Sequence, residues 1–134
     1  MLASRLLFYM LLCLGLQVET AISDTKPPPP PVIGVARILP RPDLMFHYKD
    51  YGHGEPVLVL MGGPGISGEG MEPVAQMIVK WARAVVPDQR GSGGSIPKEA
   101  DAITLEATLA DFEALRTALG LQKWTVWGCS WGGM

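Results

Sequence analysis

The sequence has few of the residues that build metal sites, disulfide frameworks or nucleic-acid-binding surfaces. Only two cysteines and two histidines occur in 134 residues, and these and the acidic residues show no metal-ligand spacing. Aromatic residues make up 7% of the chain, and 11 basic and 13 acidic residues give a net charge of −2. The basic residues are scattered singly, which argues against a nucleic-acid partner. We therefore expect no metal, no organic cofactor and no nucleic acid.

The apolar run near the amino terminus is too short to cross a membrane. It covers residues 6–16, whereas a bilayer-spanning helix needs about 20 apolar residues. Arg5 precedes the run, and Ala21-Ile22-Ser23 offers small residues at positions −3 and −1 of a cleavage site. We expect residues 1–23 to be a cleavable signal peptide. The protein would then be exported, to a periplasm or beyond, with no stable membrane anchor after cleavage.

A proline-rich spacer separates this signal from the folded part. Residues 24–31 contain an unbroken run from Pro27 to Pro31, which is typical of an extended polyproline II segment. The folded part is expected over residues 32–134, one domain at most by length. Signal cleavage would remove Cys13 and leave Cys129 without a partner, so the mature chain would contain no internal disulfide.

The folded part has the pattern of an α/β protein. The sequence predicts five strands, over residues 32–39, 44–49, 57–60, 84–86 and 124–127. Turns are expected at residues 40–43 and 50–54. Between the later strands stand two predicted helices. The first begins near Pro73 and buries Val74, Met77, Ile78 and Trp81; the second runs from a Thr104 cap to Gly120 and buries Leu105, Leu109, Phe112, Leu115 and Leu119. Strand and helix alternation predicts a parallel sheet behind an antiparallel start.

The last predicted strand runs directly into Gly128-Cys129-Ser130-Trp131-Gly132. A strand followed by G-x-S-x-G predicts a nucleophile elbow, in which a serine is exposed on a very tight turn. Gly128 and Gly132 lack the Cβ atoms that would collide in such a turn. We predict that Ser130 is the catalytic nucleophile and that the backbone N–H of Trp131 stabilises an oxyanion. Cys129 is expected to be a small, buried apolar residue.

A second glycine-rich loop, at residues 61–65, supports two hypotheses. Residues 63–68 match G-x-G-x-x-G, and Asp88 lies twenty residues further on, as in a dinucleotide-binding unit. However, the helix is predicted to begin only near Pro73, too late for that unit, which also gives no role to the serine turn. In the second hypothesis, the loop aims a backbone N–H at the oxyanion. We favour this one, with Gly63 as the donor, or Gly62 if the loop is shifted.

Three separated stretches resemble one family, the prolyl aminopeptidases (proline iminopeptidases) of the α/β-hydrolases. The His-Gly-Gly-Pro-Gly loop of that family is similar to Met61-Gly62-Gly63-Pro64-Gly65. Its Asp-Gln-Arg-Gly-Ser-Gly-Arg-Ser turn is similar to Asp88–Ser95. Its Gly-Gly-Ser-Trp-Gly elbow, after a helix with Asp-x-Glu-x-Leu-Arg, is similar to Gly128–Gly132 after Asp111–Arg116. The resemblance covers about residues 44–134, and the second stretch is the most specific.

The resemblance implies acyl transfer. Ser130 would attack the carbonyl after an N-terminal proline, and water would hydrolyse the resulting acyl-enzyme. The substrate would be a small peptide, or an ester if the protein is a related esterase or lipase. Elbow and loop support would come from Gly128, Gly132, Pro64, Gly65, Asp88 and Arg90. The fold implied is the N-terminal half of an α/β-hydrolase sheet, with an antiparallel start and then parallel strands with helices, truncated just after the elbow.

The chain also departs from the family pattern. Met61 stands where the family has His, and Gly94 stands where it has Arg. In the family, the Asp and His of the catalytic triad follow the serine, whereas His47 and His53 precede Ser130 and are predicted to be ordinary strand or turn residues. We therefore expect residues 1–134 alone to be inactive. A non-catalytic remnant stays an alternative.

Overall fold

The computed structural model describes residues 28–134, so the predicted signal peptide and the start of the spacer lie outside the described residues. Five strands form one mixed sheet: β1 (Val35–Pro40), β2 (Met45–Tyr51), β3 (Pro56–Leu60), β4 (Arg83–Pro87) and β5 (Thr125–Gly128). Their order across the sheet is β1-β2-β4-β3-β5. β2 pairs antiparallel with β1 and β4, whereas β3 pairs parallel with β4 and β5. The predicted antiparallel start followed by parallel strands is confirmed.

Two α-helices connect the parallel strands: α1 (Glu72–Ile78) precedes β4, and α2 (Leu105–Ala118) precedes β5. The predicted cap of α2 is present, because the Thr104 side chain accepts a hydrogen bond from the Ala107 N–H at 3.1 Å. The predicted stop is present too, since Gly120 has φ +68° and the Leu121 N–H donates to the Arg116 carbonyl at 3.0 Å. Within residues 28–134, neither helix has the length and apolar character of a membrane span.

The central strands of the sheet are covered on both faces, and β3 shows this most clearly. Val57 and Val59 face a core with α1, whereas Leu58 and Leu60 face a core with α2. All four side chains are at most 6% exposed. A continuous apolar run is what a strand covered on both faces requires, and burying each such side chain stabilises the fold by about 1.5–3 kcal/mol.

The second strand runs further than predicted. Asp50 and Tyr51, expected at the start of a turn, complete β2, and the chain turns only at Gly52 with φ +68°. Asp50 accepts two hydrogen bonds of 2.8 Å from the Arg83 guanidinium on the neighbouring β4. Tyr51 is 1% exposed. These long-range contacts extend the strand beyond the point at which the local turn sequence indicated its end.

The buried face of α1 differs from the predicted one. Of the four side chains expected there, Ile78 is buried and Val74 is half-buried, but Met77 and Trp81 are 57% and 70% exposed. The side chains that are buried in and around this helix are Met71, Ala75, Ile78 and Ala82. Because α1 is only seven residues long and ends at Ile78, the helical period does not continue to Trp81.

The predicted face of α2 is correct in its second half only. On this face, Phe112 and Leu115 are buried, whereas Leu105 and Leu109 are more than half exposed. Asp111, on the same helix, is fully buried. Asp111 accepts a hydrogen bond of 2.8 Å from the buried Arg90 guanidinium. A buried charge must be paired, and this ion pair meets that requirement, while Leu105, Leu109 and Phe112 together line one apolar groove.

Candidate active site

Ser130 lies at the carboxyl end of β5, where the strand passes into a 3₁₀ turn at Ser130–Gly133. Its side chain is exposed. Its φ of +51° is positive, and among residues 28–134 no other non-glycine residue has a positive φ. A non-glycine residue held in this region costs about 1–3 kcal/mol, and such strain is concentrated at functional sites. The serine thus has the backbone conformation of a nucleophile elbow.

Glycines allow the elbow to pack as tightly as it does. A Cβ on Gly128 would overlap the Gly132 carbonyl and lie 2.8 Å from the Gly133 nitrogen. A Cβ on Gly132 would lie 2.7 Å from the Leu60 carbonyl oxygen. These are backbone atoms, which cannot move aside as a flexible side chain can. Both positions therefore require glycine on steric grounds.

The glycine-rich loop at residues 61–65 follows β3, which pairs in parallel with β5, so the two loops leave the same edge of the sheet. Gly62 lies against the elbow, since a Cβ on it would be 3.0 Å from the Ser130 Cβ. Gly63 and Gly65 have φ of +77° and +84°. The Trp131 N–H belongs to the first turn of the 3₁₀ segment, where N–H groups have no partner within the helix. The structure thus brings Gly62 close to Ser130, with Gly63 next to it in the chain, while Pro64 and Gly65 are exposed.

Asp88 follows β4 and joins two loops at the same edge of the sheet. One of its carboxylate oxygens accepts hydrogen bonds from the Ser67 hydroxyl at 2.9 Å and the Gly68 N–H at 2.8 Å. The other accepts from the Gly94 N–H at 2.9 Å. These bonds occupy the carboxylate that the dinucleotide hypothesis assigned to a ribose. That hypothesis also needs a helix opening within the glycines, but α1 begins only at Glu72.

Arg90 is the centre of a buried ion-pair network. Its guanidinium is 4% exposed; it donates to Asp111 on α2 at 2.8 and 3.0 Å and also to Asp43. Arg41 donates to the same Asp111 at 3.0 Å. The hydrogen bond to Asp43 raises the pKa of Arg90 and lowers the pKa of the Asp43 carboxyl. The network fastens the turn after β4 to α2, on the side of the sheet that carries Leu58 and Leu60.

Sequence reasoning missed three residues that hold the turn after β4: Gln89 within it, Asp43 before β2 and Asp111 on α2. Gln89 is 8% exposed, and its Nε2 donates to the Met61 carbonyl at 2.6 Å. One available signal was Arg90 itself, because an arginine that is buried in the segment between β4 and α2 needs carboxylates nearby. The acid of the Asp-x-Glu pattern on α2 was the nearest candidate.

Neither histidine lies close to Ser130. The His47 carbonyl accepts a hydrogen bond of 2.9 Å from the Asp88 N–H. His47 is part of β2, which lies three strands from β5 in the sheet order. Strands lie about 4.8 Å apart, so this separation is roughly 14 Å. His53 follows the end of β2, where Tyr51 pairs with Ala84 at the start of β4. This end of the strands is opposite to the end that carries the elbow.

The prediction that Cys129 is buried is wrong. Its side chain is exposed, because within the described residues β5 is an edge strand paired only with β3. Val126 and Trp127 on the same strand are 53% and 40% exposed. An apolar groove of about 740 Å³ runs from the elbow along α2; among its lining residues are Leu105, Leu109, Trp124, Val126 and Trp131. Within residues 28–134, no group of three or more His, Cys, Asp or Glu side chains could hold a metal ion.

Residues 55–134 match the sequence model of the alpha/beta hydrolase fold. A proline iminopeptidase from Xanthomonas citri is 41% identical over 101 residues, which are 74% of this chain and 32% of that protein. A probable proline iminopeptidase from Streptomyces coelicolor is 40% identical over 91 residues, or 60% of this chain and 26% of that protein. The chain thus spans about a quarter to a third of the length of these curated relatives.

Solved structures lead to the same fold. A proline iminopeptidase-related protein from Thermus thermophilus superimposes with a TM-score of 0.66 and 27% identity, over 75% of this chain and 37% of that one. An epoxide hydrolase from an endophytic Streptomyces superimposes with a TM-score of 0.62 and 32% identity, over 74% of this chain and 30% of that one. The chain belongs to the α/β-hydrolase fold family, and its sequence resembles the proline iminopeptidases, as its motifs predicted.

Proposed function

We propose that this chain carries the nucleophile of a serine hydrolase that removes an N-terminal proline from small peptides. The observation that carries the proposal is the strained Ser130, exposed at the end of β5 with φ +51° and packed against Gly62 of the second loop. A strained, exposed serine beside glycine-rich backbone is the arrangement that acyl transfer needs. The identity of about 40% to proline iminopeptidases supports proline as the residue released.

The reaction proceeds through an acyl-enzyme. Ser130 Oγ bonds to the carbonyl carbon of the N-terminal proline, and its proton passes to a base. The C–N bond of the substrate then breaks, and the leaving amine takes that proton; water afterwards releases proline from the serine. The negative charge on the carbonyl oxygen is stabilised by the Trp131 N–H and by one from Gly63 or Gly62. Removing one preorganised donor from an oxyanion hole costs about 2.7–4 kcal/mol.

Asp88 and Arg90 hold the loops and do not touch substrate in this mechanism. Their polar atoms are already engaged, Asp88 with Ser67, Gly68 and Gly94, and Arg90 with Asp111 and Asp43. Pro64 and Gly65 shape the outer part of the glycine loop. A related esterase or lipase is the alternative, because the elbow and loop do not by themselves distinguish an amide from an ester. The epoxide hydrolase structure shares the fold, and the sequence favours the peptidases.

The test is hydrolysis of a prolyl anilide and a short p-nitrophenyl ester by the full-length protein. We expect release of the aromatic amine from the prolyl anilide and complete loss of turnover in Ser130→Ala. Ester hydrolysis without anilide hydrolysis would favour the esterase alternative. Full activity in Ser130→Ala would exclude Ser130 as the nucleophile.

Residues 1–134 by themselves should not turn over either substrate. A serine hydroxyl is a weak nucleophile near neutral pH until an adjacent base takes its proton. The chain contains two histidines, His47 and His53; one lies roughly 14 Å from the elbow by strand spacing and the other at the opposite edge of the sheet. Ser130-dependent turnover by the purified chain would contradict this.

Export completes the proposal. The amino-terminal residues 1–23 have the composition of a signal peptide, so the mature protein should begin at Asp24. Amino-terminal sequencing of the protein recovered outside the cytoplasm tests this, and an intact Met1 in that fraction would contradict it.

A further inference from the structure

The turn after β4 contains one polar side chain that the proposed mechanism does not use. Gln89 is 8% exposed and lies between Asp88 and Arg90. Its Nε2 donates a hydrogen bond of 2.6 Å to the Met61 carbonyl, 28 residues away in sequence. The accepting carbonyl belongs to the residue directly before Gly62. A buried amide therefore reaches across from β4 to the first peptide of the glycine loop.

The accepting group is informative because of peptide geometry. The carbonyl of Met61 and the N–H of Gly62 belong to one peptide unit, which is planar, and in the trans form they point in opposite directions; no cis peptide bond occurs among the described residues. A bond that holds the carbonyl on one side therefore fixes the direction of the N–H on the other. A glycine restricts its own backbone less than other residues do, so contacts from neighbouring segments are needed to set this orientation.

The elbow contacts the same peptide from another direction. A Cβ on Gly132 would lie 2.8 Å from the Met61 carbonyl oxygen, and one on Gly62 would lie 2.7 Å from the Cys129 carbonyl oxygen. The Met61–Gly62 peptide is thus enclosed between the elbow backbone and the Gln89 amide. Of these contacts, the hydrogen bond from Gln89 is the directional one, because hydrogen bonds weaken steeply as they depart from linear geometry.

We infer that Gln89 is a positioning residue that orients the Met61–Gly62 peptide and, through it, the oxyanion donor of the glycine loop. This rests on the proposed function, in which Gly62 or Gly63 supplies that donor. Gln89 touches no substrate atom in this arrangement. Its effect is on the direction of a backbone N–H, so its loss should lower kcat, which reports stabilisation of the transition state, more than it changes KM.

The test compares Gln89→Met with Gln76→Met in the full-length protein. Methionine keeps the length and much of the volume of glutamine but cannot donate. Gln76 is a matched control, because its Nε2 also donates to a backbone carbonyl, that of Val32 at 2.7 Å, and it lies on α1, outside both loops. For Gln89→Met we expect kcat on the prolyl anilide to fall about 10- to 100-fold, below the 10²- to 10³-fold loss of a whole oxyanion donor. KM should change little, Gln76→Met should keep the wild-type kcat, and the melting temperature of Gln89→Met should fall only modestly, because one carbonyl loses its donor.

Two further measurements separate this inference from the proposed function. If the wild-type protein hydrolyses the p-nitrophenyl ester but not the prolyl anilide, the substrate proposal fails, and the same kcat comparison on the ester decides the role of Gln89. If it hydrolyses neither, crystal structures of the wild type and of Gln89→Met decide it by the orientation of the Met61–Gly62 peptide. The inference would be overturned by an unchanged kcat in Gln89→Met or by an equal loss of kcat in Gln76→Met. It would also be overturned if the Met61–Gly62 peptide had the same orientation in Gln89→Met as in the wild type.

Discussion

Replacing Gly128 by alanine adds one methyl group at the point where the elbow is most crowded. The new Cβ would overlap the carbonyl of Gly132 and approach the Gly133 nitrogen to 2.8 Å. Both are backbone atoms of the 3₁₀ turn that begins at Ser130. Relief would require β5 and this turn to separate, which would displace the serine from its position against Gly62. We therefore expect Gly128→Ala to lower both the free energy of unfolding and the rate of hydrolysis.

The magnitude follows from the kind of atoms involved. Overpacking a well-packed region costs typically about 1–3 kcal/mol and occasionally more, and backbone neighbours leave little room for adjustment. We expect Gly128→Ala to lower the free energy of unfolding by about 3 kcal/mol, at the upper end of that range. Gly133→Ala is the matched control five positions along, because its Cβ would meet nothing closer than the Gly128 carbonyl oxygen at 3.4 Å. That substitution should cost less than about 1 kcal/mol.

The assay is urea denaturation of the full-length protein, with Ser130-dependent hydrolysis measured in parallel. Cys129→Ala serves as a second control, since the Cys129 side chain is exposed. Equal denaturation midpoints for the Gly128, Gly133 and Cys129 variants would show that the elbow is less tightly packed than the structure indicates. Normal hydrolysis by a destabilised Gly128→Ala would show that its geometry does not control the reaction.

Three further predictions concern the fold and its surface. Asp111→Ala leaves the Arg90 guanidinium buried with one carboxylate fewer and should lower the free energy of unfolding in urea by about 3–5 kcal/mol. The control, Glu113→Ala, breaks the exposed pair with Arg116 on the same helix and should lower it by under about 1 kcal/mol. Equal losses in the two variants would contradict a stabilising role for the buried pair. Burial raises the pKa of Tyr48 and Tyr51. Their contribution to stability is therefore fully present below pH ~10 and is lost as the pH rises through their folded pKa values. A free energy of unfolding that does not change well above pH 10 would count against this. Residues 24–134 alone should associate at micromolar concentration, because β5 offers an unpaired edge with exposed apolar side chains; a monomer in sedimentation would refute it.

Local signals in the sequence were sufficient for the elements that depend on neighbouring residues. Thr104 and Gly120 marked the ends of α2 because a cap and a left-handed glycine act on the adjacent turn of the helix. The apolar run at residues 57–60 identified a strand covered on both faces, as the burial of all four side chains confirms. The order of strands and helices then sufficed to predict the antiparallel start and the parallel part of the sheet.

The predictions that failed depended on contacts between distant residues. Asp111 is buried in its pairing with Arg90, which is 21 residues away, whereas Leu105 and Leu109 are exposed because the groove that they line is open within the described residues. Trp81 is exposed because α1 ends early. Cys129 was expected to be a small, buried apolar residue because Ser130 holds the central position of the elbow, but its exposure depends on what packs beside β5. None of these partners can be read from a helical or strand period.

The turn after β4 shows why a short motif can be more informative than its local structure. Three successive side chains leave it in different directions: Asp88 to the loop at Ser67 and Gly68, Gln89 to the Met61 carbonyl, and Arg90 to α2. Each contact demands one chemistry, namely a carboxylate that accepts from N–H groups, an amide that donates to a carbonyl, and a guanidinium that pairs with buried carboxylates. A change at any of the three would leave a buried polar group unpaired, at a cost of about 1–3 kcal/mol or more for a charge. Because the loop that faces Ser130 is held by two of these contacts, the constraint on this turn is also a constraint on the geometry of the elbow.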